Sequence, residues 1–151
     1  MVGHDVTPDD PGRLSIPFLD WLGAHIVRYQ DGQSEVRLEL APQHRNSWKV
    51  CHGGVLMTLL DVAMANAARS LHPERRGCAT VDLTSSFLQP GTGKELVTLG
   101  RCYHRSTTMA FCEAEVRNEN GALIARGTGT FKYLKKPVDT VGGATVQGTD
   151  G

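Results

Sequence analysis

The segment from Gly53 to Ser70 constrains the fold of this chain most, because it is a long helix candidate with almost no polar face. It contains no proline and is rich in Leu, Met and Ala, which are good helix formers. Apolar residues occur on nearly every side of such a helix, so most of its surface must be buried. A chain of 151 residues has the length of one domain, and its core is expected to form around this helix.

Most of the remaining chain has the alternating pattern of β-strands. Strands are predicted at residues 24–30, 35–40, 80–88, 95–103, 109–117 and 123–133. A short helix is predicted from Ile16 to Leu22, with Ser15 as its cap and Pro17 in its first turn. Residues 41–52 are predicted to be a loop, and Asn120-Gly121 predicts a two-residue hairpin turn. Two strands, one long helix and four strands together predict an α+β fold, an antiparallel sheet wrapped around one buried helix.

The alternation in residues 80–88 predicts which side chains share a face of that strand. Val81, Leu83 and Phe87 are expected on one face, and Thr80 is expected on the opposite face with the other polar residues. Residues 1–14 are predicted to be a flexible leader, residues 15–134 one domain, and residues 135–151 a disordered tail.

Charge and composition limit the classes of partner and the cellular compartment that are expected for this chain. The formal net charge is zero, which argues against nucleic acid or an anionic membrane as the main partner. The N-terminus lacks the features of a signal peptide, so a cytoplasmic location is expected, with all four cysteines reduced. His44 and His52 do not have a zinc-site spacing, and no glycine-rich nucleotide loop is present in the sequence. No metal and no cofactor is expected.

Asp61 is the unusual residue of the long helix. Aspartate is unfavourable in the middle of a helix, and a buried carboxylate without a partner is costly. At 100° per residue, Asp61 shares one stripe with small and apolar residues, namely Gly54, Met57, Ala65 and Ala68. Such a stripe would suit the wall of a narrow pocket. The alternative is a structural carboxylate that accepts a hydrogen bond from a neighbouring strand or loop.

The start of the helix is a second candidate site. His52-Gly53-Gly54 places two glycines where a loop becomes a helix. The first amides of a helix have no internal acceptor and carry partial positive charge, and glycine leaves them accessible to a ligand. This arrangement is typical of an oxyanion hole or an anion site, although the two glycines could also form a tight packing contact.

The spacing of these two sites predicts a dimer. Gly53 and Asp61 are eight residues apart, which corresponds to about 12 Å along a helix axis. Two groups that act on one reacting bond must both lie within about 3 Å of the reacting atoms. One helix therefore does not easily supply both groups, whereas two antiparallel copies could. We expect a homodimer with two equivalent shared sites.

The segment from Asn46 to Asp61 resembles the motif of the hotdog-fold thioesterases, most closely the phenylacetate-degradation and 4-hydroxybenzoyl-CoA thioesterase type. That motif has an amide residue six positions before the histidine of His-Gly-Gly and an acidic residue nine positions after it. Asn46 and Asp61 occupy those positions. Residues 79–90 and 121–131 also resemble the later strands of the family, so the likeness covers residues 15–134.

The resemblance implies a role for each matching residue. Asp61 would attack an acyl-CoA thioester or activate a water, the Gly53 amide would polarise its carbonyl, and Asn46 would position the carbonyl or the water. Thr80 would place a hydroxyl near the attacking water, and His52 would order the helix start or be purely structural. The implied substrate contacts are Gly54, Met57, Arg105, Ser106 and Thr107.

The resemblance also implies a homotetramer built as a dimer of dimers. Two other functions compete with thioester hydrolysis. One is a hotdog enoyl-CoA hydratase, although the closely spaced Asp and His of those enzymes are not evident in this sequence. The other is a non-catalytic acyl-CoA-binding protein, for which a costly carboxylate in the pocket would bring no benefit.

Overall fold

The computed structural model of the protein describes residues 15–74 and 77–135. The predicted leader and all of the predicted tail except Lys135 lie outside these residues. The elements in chain order are α1 (Pro17–Leu22), β1 (Ala24–Gln30), β2 (Gln33–Glu39), a short 3-10 helix (Pro42–His44), α2 (Gly53–Leu71), β3 (Cys78–Phe87), β4 (Glu95–Arg105), β5 (Met109–Asn118) and β6 (Leu123–Tyr133). In the part of the chain that is described, no helix is long and apolar enough to cross a membrane.

The six strands form one antiparallel sheet in the order β1-β2-β4-β5-β6-β3. Helix α2 packs across one face and contacts every strand of the sheet. The predicted α+β hotdog architecture is confirmed. Since β3 is the last strand in this order, it pairs with β6 on one edge only.

The core lies between α2 and the inner face of the sheet. The side of α2 that faces the sheet consists of buried residues: Leu56, Leu59, Leu60, Ala63, Met64 and Ala67. Strand β5 alternates as predicted and contributes Ala110, Cys112, Ala114 and Val116 to the same core. The opposite side of α2 is only partly covered, and it carries the polar residues considered below.

Small residues let the helix backbone approach the sheet closely. Gly100 of β4 lies against Ala63 of α2, and a Cβ atom built on Gly100 would come within 2.5 Å of the Ala63 carbonyl oxygen. Beside it, the Ser34 hydroxyl of β2 donates a hydrogen bond to the same carbonyl. The middle of α2 is therefore fixed to the sheet by direct backbone contact.

Three local features differ from the expectations. Ser15 does not cap α1, because the helix begins at Pro17 and Ile16 takes the cap position without a side-chain bond. The segment 41–52 contains the 3-10 helix, which buried His44 stabilises by accepting the Ala41 N–H at 3.0 Å and donating to the Leu22 carbonyl at 2.7 Å. The last hairpin has a four-residue connection, residues 119–122, because the Asn118 side chain accepts two of its N–H groups.

Candidate active site

Asp61 and Thr80 form a direct hydrogen bond between α2 and β3. The Thr80 hydroxyl donates to one carboxylate oxygen of Asp61 at 2.7 Å. Asp61 is half-buried, and its second oxygen has no donor among the described residues. The carboxylate is therefore held in place by one oxygen while the other is available to a ligand or a water.

A β-bulge in β3 brings Thr80 to this position and overturns the expected division of faces. Thr80 pairs with Phe131 and Asp82 with Thr130, so Val81 is an extra residue without a partner of its own. The bulge shifts the alternation by one residue, and Thr80 then faces α2 together with Leu83. The prediction that these two residues lie on opposite faces is wrong, because simple alternation assumes an unbroken ladder.

The Asp61–Thr80 pair lies in the wall of a cavity of about 470 Å³, which we call the Asp61 cavity. The cavity is bounded by α1, the outer side of α2 and the start of β3. Most of its walls are apolar, with contributions from Phe18, Leu19, Met57, Val62, Ala65 and Leu83. Ala68, which was expected on the same stripe, is fully buried in the core instead.

The start of α2 presents one free backbone donor. The Gly54 N–H donates to Nδ1 of His52 at 2.9 Å, so His52 caps the helix. The N–H groups of Val55 and Leu56 donate to the His52 carbonyl. The Gly53 N–H has no acceptor among the described residues. It combines an unoccupied donor with the partial positive charge of the helix start.

Asn46 organises the loop that precedes α2. Its side-chain oxygen accepts the N–H groups of Trp48 at 2.9 Å and Val50 at 3.4 Å, which closes a tight turn. The Asn46 side-chain nitrogen has no acceptor in the described part of the chain. Asn46 and Gly53 line a second cavity of about 390 Å³, which we call the Gly53 cavity.

The two cavities are separate within one chain. They share no lining residue, and they lie on different parts of α2. The Gly53 cavity is bounded by Phe87 and Leu88 at the end of β3, whereas the Asp61 cavity is bounded by the beginning of the same strand. One chain therefore does not bring the predicted oxyanion donor and the predicted carboxylate together.

Comparison with known proteins identifies the family. A family model described as the thioesterase superfamily matches residues 49–125, just over half of the chain. The chain belongs to the thioesterase superfamily. The matched span includes Gly53, Asp61 and Thr80 and ends within β6.

Individual relatives and solved structures are similar to the chain over most of its length. The acyl-coenzyme A thioesterase PaaI of Escherichia coli is 30% identical over 107 residues, which cover 69% of this chain and 73% of the relative. The conserved protein PA5202 of Pseudomonas aeruginosa has a structure with a TM-score of 0.77 and 33% identity, covering 82% of this chain and 100% of the other. The BH2602 protein of Bacillus halodurans, solved with CoA, has a TM-score of 0.75 and 28% identity, and 82% of each chain is covered.

Several residues expected to contact the substrate do not meet at Asp61. Met57 lines the Asp61 cavity, but Gly54 lines a third cavity beside His52. Arg105 lies over the ring of Tyr133 at 6.0 Å, and the Ser106 hydroxyl accepts two N–H groups of its own turn. The Arg105–Thr107 turn lines none of these three cavities.

The cysteine beside the helix start is not an alternative nucleophile. Burial raises the pKa of the Cys51 thiol to about 11, despite the opposing charge of Arg45. The thiol therefore remains protonated near neutral pH, and its sulfur lies 3.7 Å from the His52 carbonyl oxygen. Among the described residues, no three His, Cys, Asp or Glu side chains are grouped so that they could hold a metal ion.

The Asp61 cavity contains functional candidates that sequence reasoning missed. Asn66 and Arg69 lie in its wall nearer the C-terminal end of α2. In the sequence, Asn66 is only one of the few polar residues of the helix, and no pattern marks Arg69 as a site residue. Their spacing from Asp61 could have suggested a common wall, but the bulged strand and α1 that close the cavity follow from tertiary structure.

Proposed function

We propose that this protein is an acyl-CoA thioesterase that hydrolyses a thioester to a free acid and coenzyme A. The observation that carries the proposal is the Asp61–Thr80 pair in the wall of a mainly apolar cavity. A carboxylate held by one hydrogen bond, with its other oxygen free, suits either attack on a carbonyl or activation of a water. The name of the PaaI relative and the CoA bound to the BH2602 protein support the class of substrate.

The proposed reaction needs few groups because a thioester is already activated. Asp61 attacks the thioester carbon, or it removes a proton from a water that attacks. The carbon–sulfur bond then breaks, and coenzyme A leaves as a thiolate that takes up a proton. If Asp61 is the nucleophile, water subsequently cleaves the acyl-aspartyl anhydride. Either route consumes one water and yields one acid and one thiol.

The Gly53 N–H would stabilise the negative charge that develops on the carbonyl oxygen. It is a fixed donor at a helix start, and it has no competing acceptor among the described residues. Donors of this kind are effective because they are already oriented when the charge appears. The free side-chain nitrogen of Asn46, which lines the same cavity, would help to orient the carbonyl or the water.

We further propose that each active site is shared by two subunits. The Gly53 and Asp61 cavities are separate in one chain, so a second chain must bring the two groups together. The free edge of β3 is the surface for this contact, since Val81 and Phe87 of the strand and the adjacent Leu88 are more than half exposed. A long apolar strand edge is normally covered, and pairing of two β3 strands about a twofold axis would cover it. That pairing would also align two α2 helices.

Association of two such dimers into a tetramer would need another surface. The outer face of the sheet carries exposed Leu99 and Tyr103 on β4. They lie among charged side chains that already pair with each other, such as Arg101 with Glu113. We propose this face for the contact between dimers.

Gly53 offers a direct test of the oxyanion donor. Proline at this position would remove the N–H group, and proline is well tolerated at the first residue of a helix. His52 has φ −63° and ψ 137°, the extended conformation that a residue before proline prefers. We expect Gly53→Pro to fold and to lose activity by about 100- to 1000-fold in kcat.

Gly53→Ala is the matched control because it adds a side chain but keeps the N–H. A Cβ at this position would lie 3.6 Å from the Phe87 ring, an ordinary contact. Kinetic constants of both variants measure the loss of activity, and circular dichroism shows whether both variants fold. Full activity in Gly53→Pro would refute the role of this amide.

The function itself is tested by release of free thiol from a panel of aryl-, short-chain and long-chain acyl-CoAs. Turnover of any member would support the thioesterase and reveal the acyl class. Tight binding of an acyl-CoA without release of thiol would favour the binding protein instead. Hydration of an enoyl-CoA would favour the hydratase, although no histidine of residues 15–74 and 77–135 lines the Asp61 cavity.

A further inference from the structure

The wall of the Asp61 cavity has polar side chains on either side of an apolar part. Asp61 and Thr80 lie at one part of its wall, and Val62, Ala65 and Leu83 provide apolar surface beyond them. Arg69 lies eight residues after Asp61 in the same helix, about 12 Å farther along the axis. Helical side chains lean towards the N-terminus, so the guanidinium group reaches part of the way back towards Asp61.

Few of the hydrogen-bond donors of the Arg69 side chain have an acceptor among the described residues. One terminal nitrogen donates to Asn66 at 3.2 Å, and the guanidinium lies over the Tyr29 ring at 5.4 Å. Its Nε atom is buried and has no hydrogen-bond partner among the described residues. No carboxylate in the described ranges forms an ion pair with Arg69. A guanidinium has five N–H donors, so this one keeps most of its capacity for a ligand.

The neighbouring Asn66 fixes the position of this cation. The side-chain nitrogen of Asn66 donates to the Val62 carbonyl at 2.9 Å, which turns its oxygen towards Arg69. A positive charge in the last turn of a helix is favourable by itself. That effect explains a basic residue at this position, but it does not explain a buried donor without an acceptor in a cavity wall.

We propose that Arg69 recognises an oxygen acceptor at the distal end of the acyl group, and that the preferred acyl group ends in a carboxylate. The substrate class would then be the monothioesters of dicarboxylic acids with coenzyme A. The apolar middle of the cavity would hold the methylene chain, and the planar guanidinium would pair with the terminal carboxylate. This inference rests on the proposed thioesterase function, because it names the substrate of the same site.

The test compares substrates that differ only at the distal end of the chain. The acyl group ends in a methyl group in hexanoyl-CoA and in a carboxylate in adipoyl-CoA. The third substrate is hexanoyl-CoA that carries a hydroxyl group on its last carbon. The same three ends on an octanoyl chain allow for the depth of the cavity. We expect wild-type kcat/KM to be at least about tenfold higher for the carboxylate end than for the methyl end, with the hydroxyl between them.

Variants of Arg69 test whether this residue causes the preference for the carboxylate end. Arg69→Met keeps an apolar stem and should remove the preference, with kcat/KM falling for adipoyl-CoA and not for hexanoyl-CoA. Arg69→Lys keeps the charge without the paired donors and should retain part of the preference. Arg126→Met is the control, since Arg126 is an exposed arginine that lies 3.7 Å from Glu113 and outside the Asp61 cavity. A purely structural Arg69 would change all substrates equally.

The outcomes separate this inference from the function on which it rests. Thiol release from the methyl-ended substrates, with no preference for the carboxylate in the wild type, would overturn the inference and leave the thioesterase intact. Absence of thiol release from every substrate would instead count against the proposed function. Because the wild-type preference is measured without any substitution, the test does not depend on whether Arg69→Met folds.

Discussion

Replacement of Asp61 by Asn is expected to lower kcat by at least about 1000-fold on every acyl-CoA that the wild type hydrolyses. The amide is almost the same size as the carboxylate and can still accept the 2.7 Å hydrogen bond from Thr80. It is, however, neither a nucleophile nor a base at neutral pH. Binding of acyl-CoA should remain, because the apolar walls of the cavity are unchanged.

Asp31→Asn is a suitable control for the same chemical change. Asp31 is exposed in the turn between β1 and β2 and has a φ angle of 51°, a conformation that asparagine tolerates well. Its variant should keep wild-type kcat and stability. If Asp61→Asn kept more than about one tenth of wild-type kcat, the carboxylate would not be the reacting group. If Asp61→Asn instead unfolded, Asp61 would have a structural role.

The second large effect is expected at Gly100, on the free energy of unfolding. Replacement of Gly100 by Ala would place a Cβ atom 2.5 Å from the Ala63 carbonyl oxygen and 2.6 Å from the Ser34 hydroxyl. The carbonyl belongs to the backbone of the central helix, which does not move without disturbing the core. We expect a loss of about 3 kcal/mol or more, at the upper end of the range for overpacked cores.

Denaturant unfolding at one fixed protein concentration measures this loss, because the stability of the proposed dimer would depend on concentration. Gly53→Ala provides the comparison, since its new Cβ would meet nothing closer than 3.6 Å and alanine favours a helix. A Gly100→Ala protein within about 0.5 kcal/mol of the wild type would show that the helix is not held against the sheet as described.

The helices and strands were predictable because their apolar residues repeat with a clear helical or strand period. The order of the elements followed from the sequence, and α2 begins at the predicted residue and ends one residue beyond Ser70. The inward face of β5 was also predicted correctly, from alternating small and apolar residues. These patterns arise because one side of each element is buried, and the buried positions are visible in the sequence as regularly spaced apolar residues.

The site was less predictable because its geometry depends on irregular backbone. The bulge at Val81 turns Thr80 towards Asp61. No residue type in this strand predicts that the alternation of side chains is shifted there. The division between the Gly53 and Asp61 cavities also depends on where β3 begins and ends against α2. The long spacing along α2 did predict that one chain would separate these groups, since helix rise is fixed by backbone geometry.

The most direct test of a shared site mixes two inactive chains. One carries Asp61→Asn and an intact Gly53, and the other carries Gly53→Pro and an intact Asp61. In a mixed dimer, one site would combine the intact Gly53 of the first chain with the intact Asp61 of the second. Random association of equal amounts would then restore about a quarter of wild-type activity per total chain.

Coexpression of the two chains with different tags, followed by purification on both tags, isolates the mixed dimer for measurement of thiol release. The shared-site account predicts about half of wild-type kcat for this species, because one of its two sites is complete. If each site instead used Gly53 and Asp61 of the same chain, both sites of the mixed dimer would be defective. Activity no higher than that of the two parent variants would contradict the account.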